Sequence, residues 1–183
     1  MEPRVTTAPA IDLRRYGHND LADIRQTLLD VHADAYFERR HEEFVQRFPW
    51  FVDHWGQREG FACVVAYEGG EPIGFTYGAP GEPGREWWRE YLAEEPADPS
   101  TFSVSELMLK PKRRKQGLGE RLHTALLADR PEALAVLTVD TKRPRLQALY
   151  EGWGYRKVGE RQPFPDSPLY AVMLLDLRAP SAS

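Results

Sequence analysis

Apolar residues recur along this chain with two different periods, and the switches between them mark its elements. Residues 11–15, IDLRR, alternate as a strand does. From Leu21 onward, Leu21, Ile24, Leu28, Val31 and Ala35 follow the 3, 4, 3, 4 spacing of one buried helix face, with Asn19 or Asp20 placed to cap it. Residues 42–56 give a second, less regular helical region, interrupted by Pro49. Residues 61–78 are two β-rich runs joined at Gly69-Gly70, the pattern of a hairpin.

The connection from 80 to 100 begins and ends rich in Gly and Pro. Between those ends a short helical turn is predicted, with Trp87, Trp88, Tyr91 and Leu92 on one side. A strand (102–110), a helix (117–129), a strand (134–139) and a helix opening at Pro144 follow. A last strand pair lies around residues 155–159 and 169–177. Leaving out the short turn, the order is β-α-α-β-β-β-α-β-α-β-β. That is an α/β (α+β) chain, a mixed sheet with helices packed on it.

The chain has 183 residues, enough for one domain with its own core, and residues 1–183 are read as one domain with flexible tails at 1–8 and 179–183. The formal net charge is −4, which argues against general attraction to nucleic acid or an anionic membrane. The single cysteine, Cys63, allows no intrachain disulfide and reads as a core residue. The first ten residues lack an apolar signal core, and no stretch approaches a membrane span of roughly 18 apolar residues, so a cytoplasmic protein is expected.

Against that acidic background, Lys110, Lys112, Arg113, Arg114 and Lys115 crowd between a strand and a helix that opens with Gly117 and Gly119. The first amides of a helix lack internal partners, and the helix dipole adds positive charge there. Glycines let an anion approach those amides. The loop therefore reads as a pyrophosphate cradle. It lacks the Gly-Lys-Ser/Thr ending of a P-loop, and Glu120-Arg121-Leu122 gives no third glycine of a dinucleotide fingerprint. The alternatives are a solvated charge run or a nucleic-acid patch. No aromatic residue interleaves these cations, so no nucleic-acid partner is expected.

The spacing Arg114-x-x-Gly117-x-Gly119, after a strand ending Leu107-Met108-Leu109-Lys110-Pro111, resembles the acyl-CoA loop of the GNAT superfamily of acyl-CoA-dependent N-acyltransferases. Residues 148–159, ALYEGWGYRKVG, are similar to a second segment of that family. The resemblance covers residues 102–160 well and implies a GNAT-like fold: a mostly antiparallel sheet splayed between its fourth and fifth strands, flanked by helices.

It also implies an N-acetyltransferase that moves acetyl, or a similar acyl group, from acyl-CoA to a primary amine by direct attack. Acetyl-CoA is then the co-substrate, and no metal is needed. Backbone groups of Leu107, Met108 and Leu109 would pair with pantetheine, and Arg114, Lys115, Gln116, Gly117, Leu118 and Gly119 would hold the diphosphate. Tyr150 falls where many members keep a tyrosine and is the proposed proton donor, also touching the cofactor arm. Glu106 leads as the general base, with Asp140 second and a water chain third. Arg143 replaces an asparagine that often touches pantetheine, and is a candidate for a CoA phosphate instead. A non-catalytic acyl-CoA sensor on the same fold is the main rival reading.

The scattered histidines include no zinc-protease pair, so no metal is predicted. His54 is a candidate for the acceptor site. Trp87-Trp88 and the aromatic stretch 48–55 read as core, dimer surface or acceptor pocket. Glu82, Glu86, Glu90, Glu94, Glu95 and Asp98 favour either a cationic partner or a solvated face. A small-molecule or peptide amine is the expected partner. Antibiotic, polyamine, peptide terminus and protein lysine all stay open as its identity, as do monomer and homodimer. No membrane partner is expected.

Overall fold

A computed structural model describes residues 9–178; the tails expected at 1–8 and 179–183 lie outside the described residues. Seven strands form one sheet: β1 (Ile11–Gly17), β2 (Ala62–Glu68), β3 (Glu71–Pro80), β4 (Thr101–Leu109), β5 (Leu134–Asp140), β6 (Arg156–Arg161) and β7 (Tyr170–Asp176), in the order β1-β2-β3-β4-β5-β7-β6. Neighbours are antiparallel except β4 and β5, which run parallel. A parallel pair needs a crossover, and the helix between these strands supplies it.

Five helices cover the sheet: α1 (Leu21–Ala35), α2 (Glu43–Gln46), α3 (Phe48–Gly56), α4 (Leu118–Leu127) and α5 (Pro144–Gly152). On one face Leu118, Leu122 and Leu126 of α4 pack on Ala62, Val64, Phe102 and Val104, with Tyr150 of α5 in the same cluster. On the other, Ile24, Leu28 and Val31 of α1 and Val52 and Trp55 of α3 meet Val65, Phe75, Tyr77 and Met108. The α1 spacing read from the sequence is thus the spacing of its buried face. Each fully buried leucine contributes about 1.5–3 kcal/mol.

Three expectations change. Pro49 occupies the first turn of α3, where its missing amide costs nothing, so it opens a helix and does not interrupt one. The break lies at Arg47, between α2 and α3. Second, residues 81–100 form turns and no helix. Trp87, Trp88, Tyr91 and Leu92 nevertheless pack together against Leu134, Val136, Val172 and Leu174, covering the β5-β7-β6 half of the sheet. Trp88 is anchored by its Nε1 donating to Thr101 Oγ1 at 2.9 Å, and Tyr91 by its hydroxyl donating to the Glu160 carbonyl at 2.8 Å. Third, the strand and helix placed at 102–110 and 117–129 run from 101 to 109 and from 118 to 127.

Candidate active site

The parallel ladder between β4 and β5 lasts only from Thr101↔Leu134 through Phe102↔Ala135 to Ser103↔Val136. Beyond it β4 stays with β3 and β5 with β7, so the two strands splay into a wedge. Where the ladder stops, Tyr77 faces Glu106 while Gly78 faces Val104, leaving Ser105 as an extra residue on β4. Such a bulge bends a strand and re-aims its side chains. Gly78 is required opposite it, because a Cβ there would stand 2.2 Å from the Ser103 carbonyl oxygen and 2.7 Å from the Phe102 ring.

The bulge also reverses the parity of β4. Phe102 and Val104 face α4, and Leu107 and Leu109 continue on that side. Met108 joins the α1–α3 cluster, and Glu106, two residues before it, takes the same face. A cavity of about 550 Å³ fills the wedge, bordered by Glu106, Leu107 and Met108 of β4 and by Thr138, Val139 and Asp140 of β5. Tyr150 reaches it from α5 on the opposite side of the sheet. The wedge therefore joins the two faces.

Glu106 borders this cavity and is only partly buried. Burial pushes its carboxyl up to about 7, against a smaller opposing pull from the Leu107 amide. No cation pairs with it among the described residues. Near neutral pH a carboxyl so placed can both take up and release a proton.

Tyr150 is held above the ordinary tyrosine range, first by burial and then by the Glu106 charge, with Arg143 opposing; its hydroxyl keeps its proton. Its ring is fixed edge-on against Trp153 and Tyr155, at centroid distances of 5.1 and 5.8 Å. Asp140 borders the cavity too, but its Oδ1 accepts the Lys142 amide at 2.9 Å and closes the turn before α5. Arg143 lies at the cavity as the residue before the first turn of α5.

Leu109 and residues 114–119 do not border the cavity; they lie where β4 runs out toward α4. After β4 a single 3-10 turn, Pro111–Arg113, leads into the loop. Lys115 and Gly117 both take left-handed φ, 62° and 75°, a conformation that suits Gly117 and strains Lys115. No acceptor among the described residues meets the amides of residues 115–120, and a Cβ built on Gly117 would enter open space. Exposed Arg114 and Lys115 carry no ion pair there, nor does Lys112. By contrast, Lys110 binds Asp34 at 3.1 Å and Glu71 at 3.3 Å, and Arg113 is paired with Glu68. Among the described residues, three of the five cations have no ion pair. An open cradle of unpartnered amides beside free cations fits a diphosphate.

The far end of the cavity is aromatic. Trp50, Phe51, Trp55 and Trp87 border it, while Trp88 is core, so the adjacent tryptophans have different roles. His54 stacks on Trp50 at 4.8 Å and also borders the cavity. His32 stacks on Phe48 at 3.9 Å, and burial pushes it down to about 4, leaving it neutral. None of the acids between 82 and 98 reaches the cavity; Glu82, Glu86, Glu95 and Asp98 pair with arginines instead. Cys63 is wholly buried in β2.

Sequence reasoning did not single out Tyr36, Arg39, Arg161, Phe164 or Tyr170, which all border the cavity. For Phe164 the available signal was the proline-rich segment 162–168 between the last two strands; Tyr36, Arg39, Arg161 and Tyr170 carried none. Among the described residues no cluster of three His, Cys, Asp or Glu side chains is placed to hold a metal, and no helix is long and apolar enough to cross a membrane.

Comparisons with known proteins agree with this architecture. An acetyltransferase from Thermus thermophilus superposes with a TM-score of 0.64 at 16% identity, covering 93% of this chain and 99% of that one. Arabidopsis thaliana NAA60, solved with acetyl-CoA, gives 0.64 at 14% identity over 93% and 100% of the two chains. The PaiA N-acetyltransferase of Thermoplasma acidophilum, solved with coenzyme A, gives 0.58 at 14% identity over 91% and 99%. At these identities the likeness is one of fold. No curated protein matches the chain in sequence. The sequence profile of the Acetyltransferase (GNAT) family matches residues 25–155, and the chain, with its sheet splayed between β4 and β5, belongs to that family.

Proposed function

We propose that this protein is a cytoplasmic, single-domain N-acetyltransferase that passes an acetyl or similar acyl group from acyl-CoA to a primary amine by direct attack. The carrying observation is that one cavity brings Glu106 and Tyr150 together from opposite faces of the sheet. Solved structures of the same fold with acetyl-CoA in NAA60 and coenzyme A in PaiA support the choice of donor.

When bound, acyl-CoA supplies the acyl group as a thioester. The amides of residues 115–119, with Arg114 and Lys115, would hold its diphosphate, and Arg143, at the cavity just before α5, would meet a phosphate. Backbone groups of Leu107, Met108 and Leu109, released from any β5 ladder by the splay, would pair with the pantetheine arm and polarise the thioester carbonyl.

Glu106 takes a proton from the attacking nitrogen, directly or through one water. That transfer is needed because an amine must be neutral to attack. At pH 7 deprotonation costs roughly 4.6 kcal/mol for a lysine-like amine and about 1 kcal/mol for an α-amine. Tyr150 gives its hydroxyl proton to the departing sulfur, and solvent restores it. No covalent enzyme intermediate forms.

Calorimetry with coenzyme A, followed by thiol release from acetyl-CoA across a panel of amines, tests this reading. Binding plus release with at least one amine is expected. Binding without release from any amine would leave a non-catalytic acyl-CoA sensor, and no binding would remove the acyl-CoA assignment.

A further inference from the structure

The charges bordering the cavity are unequally committed. Arg39 is forked onto Glu42, at 2.8 and 2.7 Å, and Asp166 is claimed by Arg47. Arg161 has no carboxylate partner among the described residues, although it is only partly exposed. Its guanidinium lies over Trp87, 5.7 Å from the ring centroid. Arg161 closes β6 opposite Tyr170, which in turn faces Asp140 on β5. Arg161 thus stands two strand spacings, about 10 Å, from the lip of the wedge.

A guanidinium set against an aromatic wall, with no acid of its own, selects an anion with planar, two-oxygen geometry. Trp50, Phe51, Trp55 and Trp87 give the rest of that end an apolar, flat-sided surface. A polycation finds little here: the acids at 82–98 are elsewhere, Glu42 and Asp166 are paired, and Asp140 is partly used by its own turn.

We propose that the acceptor is an amine carrying a carboxylate on a bulky aromatic body, its amine directed to Glu106 and its carboxylate held by Arg161. This rests on the N-acyltransferase reading above and names the acceptor class of the same site.

Matched pairs of amines test it: phenylalanine against phenethylamine, tryptophan against tryptamine, with spermidine as the polycation, all followed by thiol release from acetyl-CoA. The carboxylated member of each pair should have the higher kcat/KM, by roughly 10- to 100-fold, the range of one charge-assisted hydrogen-bonded pair. In Arg161→Gln, which keeps much of the side-chain stem on Trp87, that ratio should collapse toward one. Arg161→Lys should restore part of it. A ratio within one protein does not depend on how much of it is folded. Equal or faster reaction of phenethylamine, tryptamine or spermidine overturns the acceptor proposal and leaves N-acyl transfer standing. An unchanged ratio in Arg161→Gln overturns the role of Arg161. Silence with all five amines, while another amine of the wider panel releases thiol, overturns the acceptor class and leaves N-acyl transfer standing; silence across that whole panel removes both.

Discussion

The two ends of the candidate site are built by opposite means. At the start of α4 the candidate binding groups are backbone amides and cations without an ion pair among the described residues, on an exposed loop of a few consecutive residues. In the wedge between β4 and β5 the groups are side chains, buried Tyr150 and partly buried Glu106 among them, brought from α1, α3, β4, α5 and the β6–β7 connection. The loop has to offer only charge and unpartnered donors, which local sequence can specify. The wedge has to shift the proton affinities of Glu106 and Tyr150, which needs burial and therefore the whole fold. Removing a side chain should accordingly cost turnover at the wedge and affinity at the loop.

The largest effect is expected at Glu106. Glu106→Gln should lower kcat/KM by about 10²–10⁴, the usual contribution of a general base, with coenzyme A affinity preserved. In the native protein the base must be ionised, so activity should fall as pH drops through about 7. In Glu106→Gln, the slope of log kcat/KM against pH below 7 should decrease by one. Stability carries the opposite sign. The folded carboxyl is raised from 4.5 to about 7, so ionisation in the fold is disfavoured. Native stability should therefore decline as pH rises from about 4.5 to 7 and level off above that. Denaturant titrations should find Glu106→Gln the more stable protein above pH 7, with the difference closing below about 4.5. An unchanged pH slope would pass the base role to Asp140 or to water.

A smaller loss, about 100-fold in kcat, the low end of the usual general-acid contribution, is expected for Tyr150→Phe. The phenyl ring keeps its edge-on contacts with Trp153 and Tyr155, so acetyl-CoA affinity should change by less than about threefold, under 1 kcal/mol. Steady-state kinetics alongside calorimetry separates the two quantities. Equal turnover in the two proteins would reduce Tyr150 to a packing residue.

The contrast also explains what the sequence could reveal. Helix faces such as Leu21, Ile24, Leu28 and Val31 are legible because a 3.6-residue period is local. So is the loop, because Gly117 and Gly119 follow Arg114 within five residues. The bulge at Ser105 is not. In an unbroken strand Glu106 would share the face of Phe102 and Val104 beneath α4, and one extra residue sends it to the other side. Tyr36, Arg161 and Tyr170 carry no spacing signal because they meet only after β7 has paired with both β5 and β6. The acids between 82 and 98 look like a patch in sequence, and folding sets four of them, Glu82, Glu86, Glu95 and Asp98, onto arginines.

The five cations around the loop give the finest test, since in sequence they are equivalent and in the fold they are not. Arg114 has no ion pair among the described residues, so its guanidinium is available to a diphosphate oxygen. Arg114→Ala should weaken coenzyme A binding by about tenfold, and the affinity should depend less on salt afterwards. Arg113 is one residue away and already paired with Glu68, which is mostly buried at the end of β2. Arg113→Ala should change coenzyme A affinity by less than about threefold and lower stability instead, by about 1 kcal/mol or less, because the pair is partly exposed. Calorimetry and thermal melts on the two variants read both quantities. If Arg113→Ala weakens coenzyme A as much as Arg114→Ala, the ligand competes with Glu68 for that guanidinium, and the loop acts as one charged surface with no division between fold and ligand.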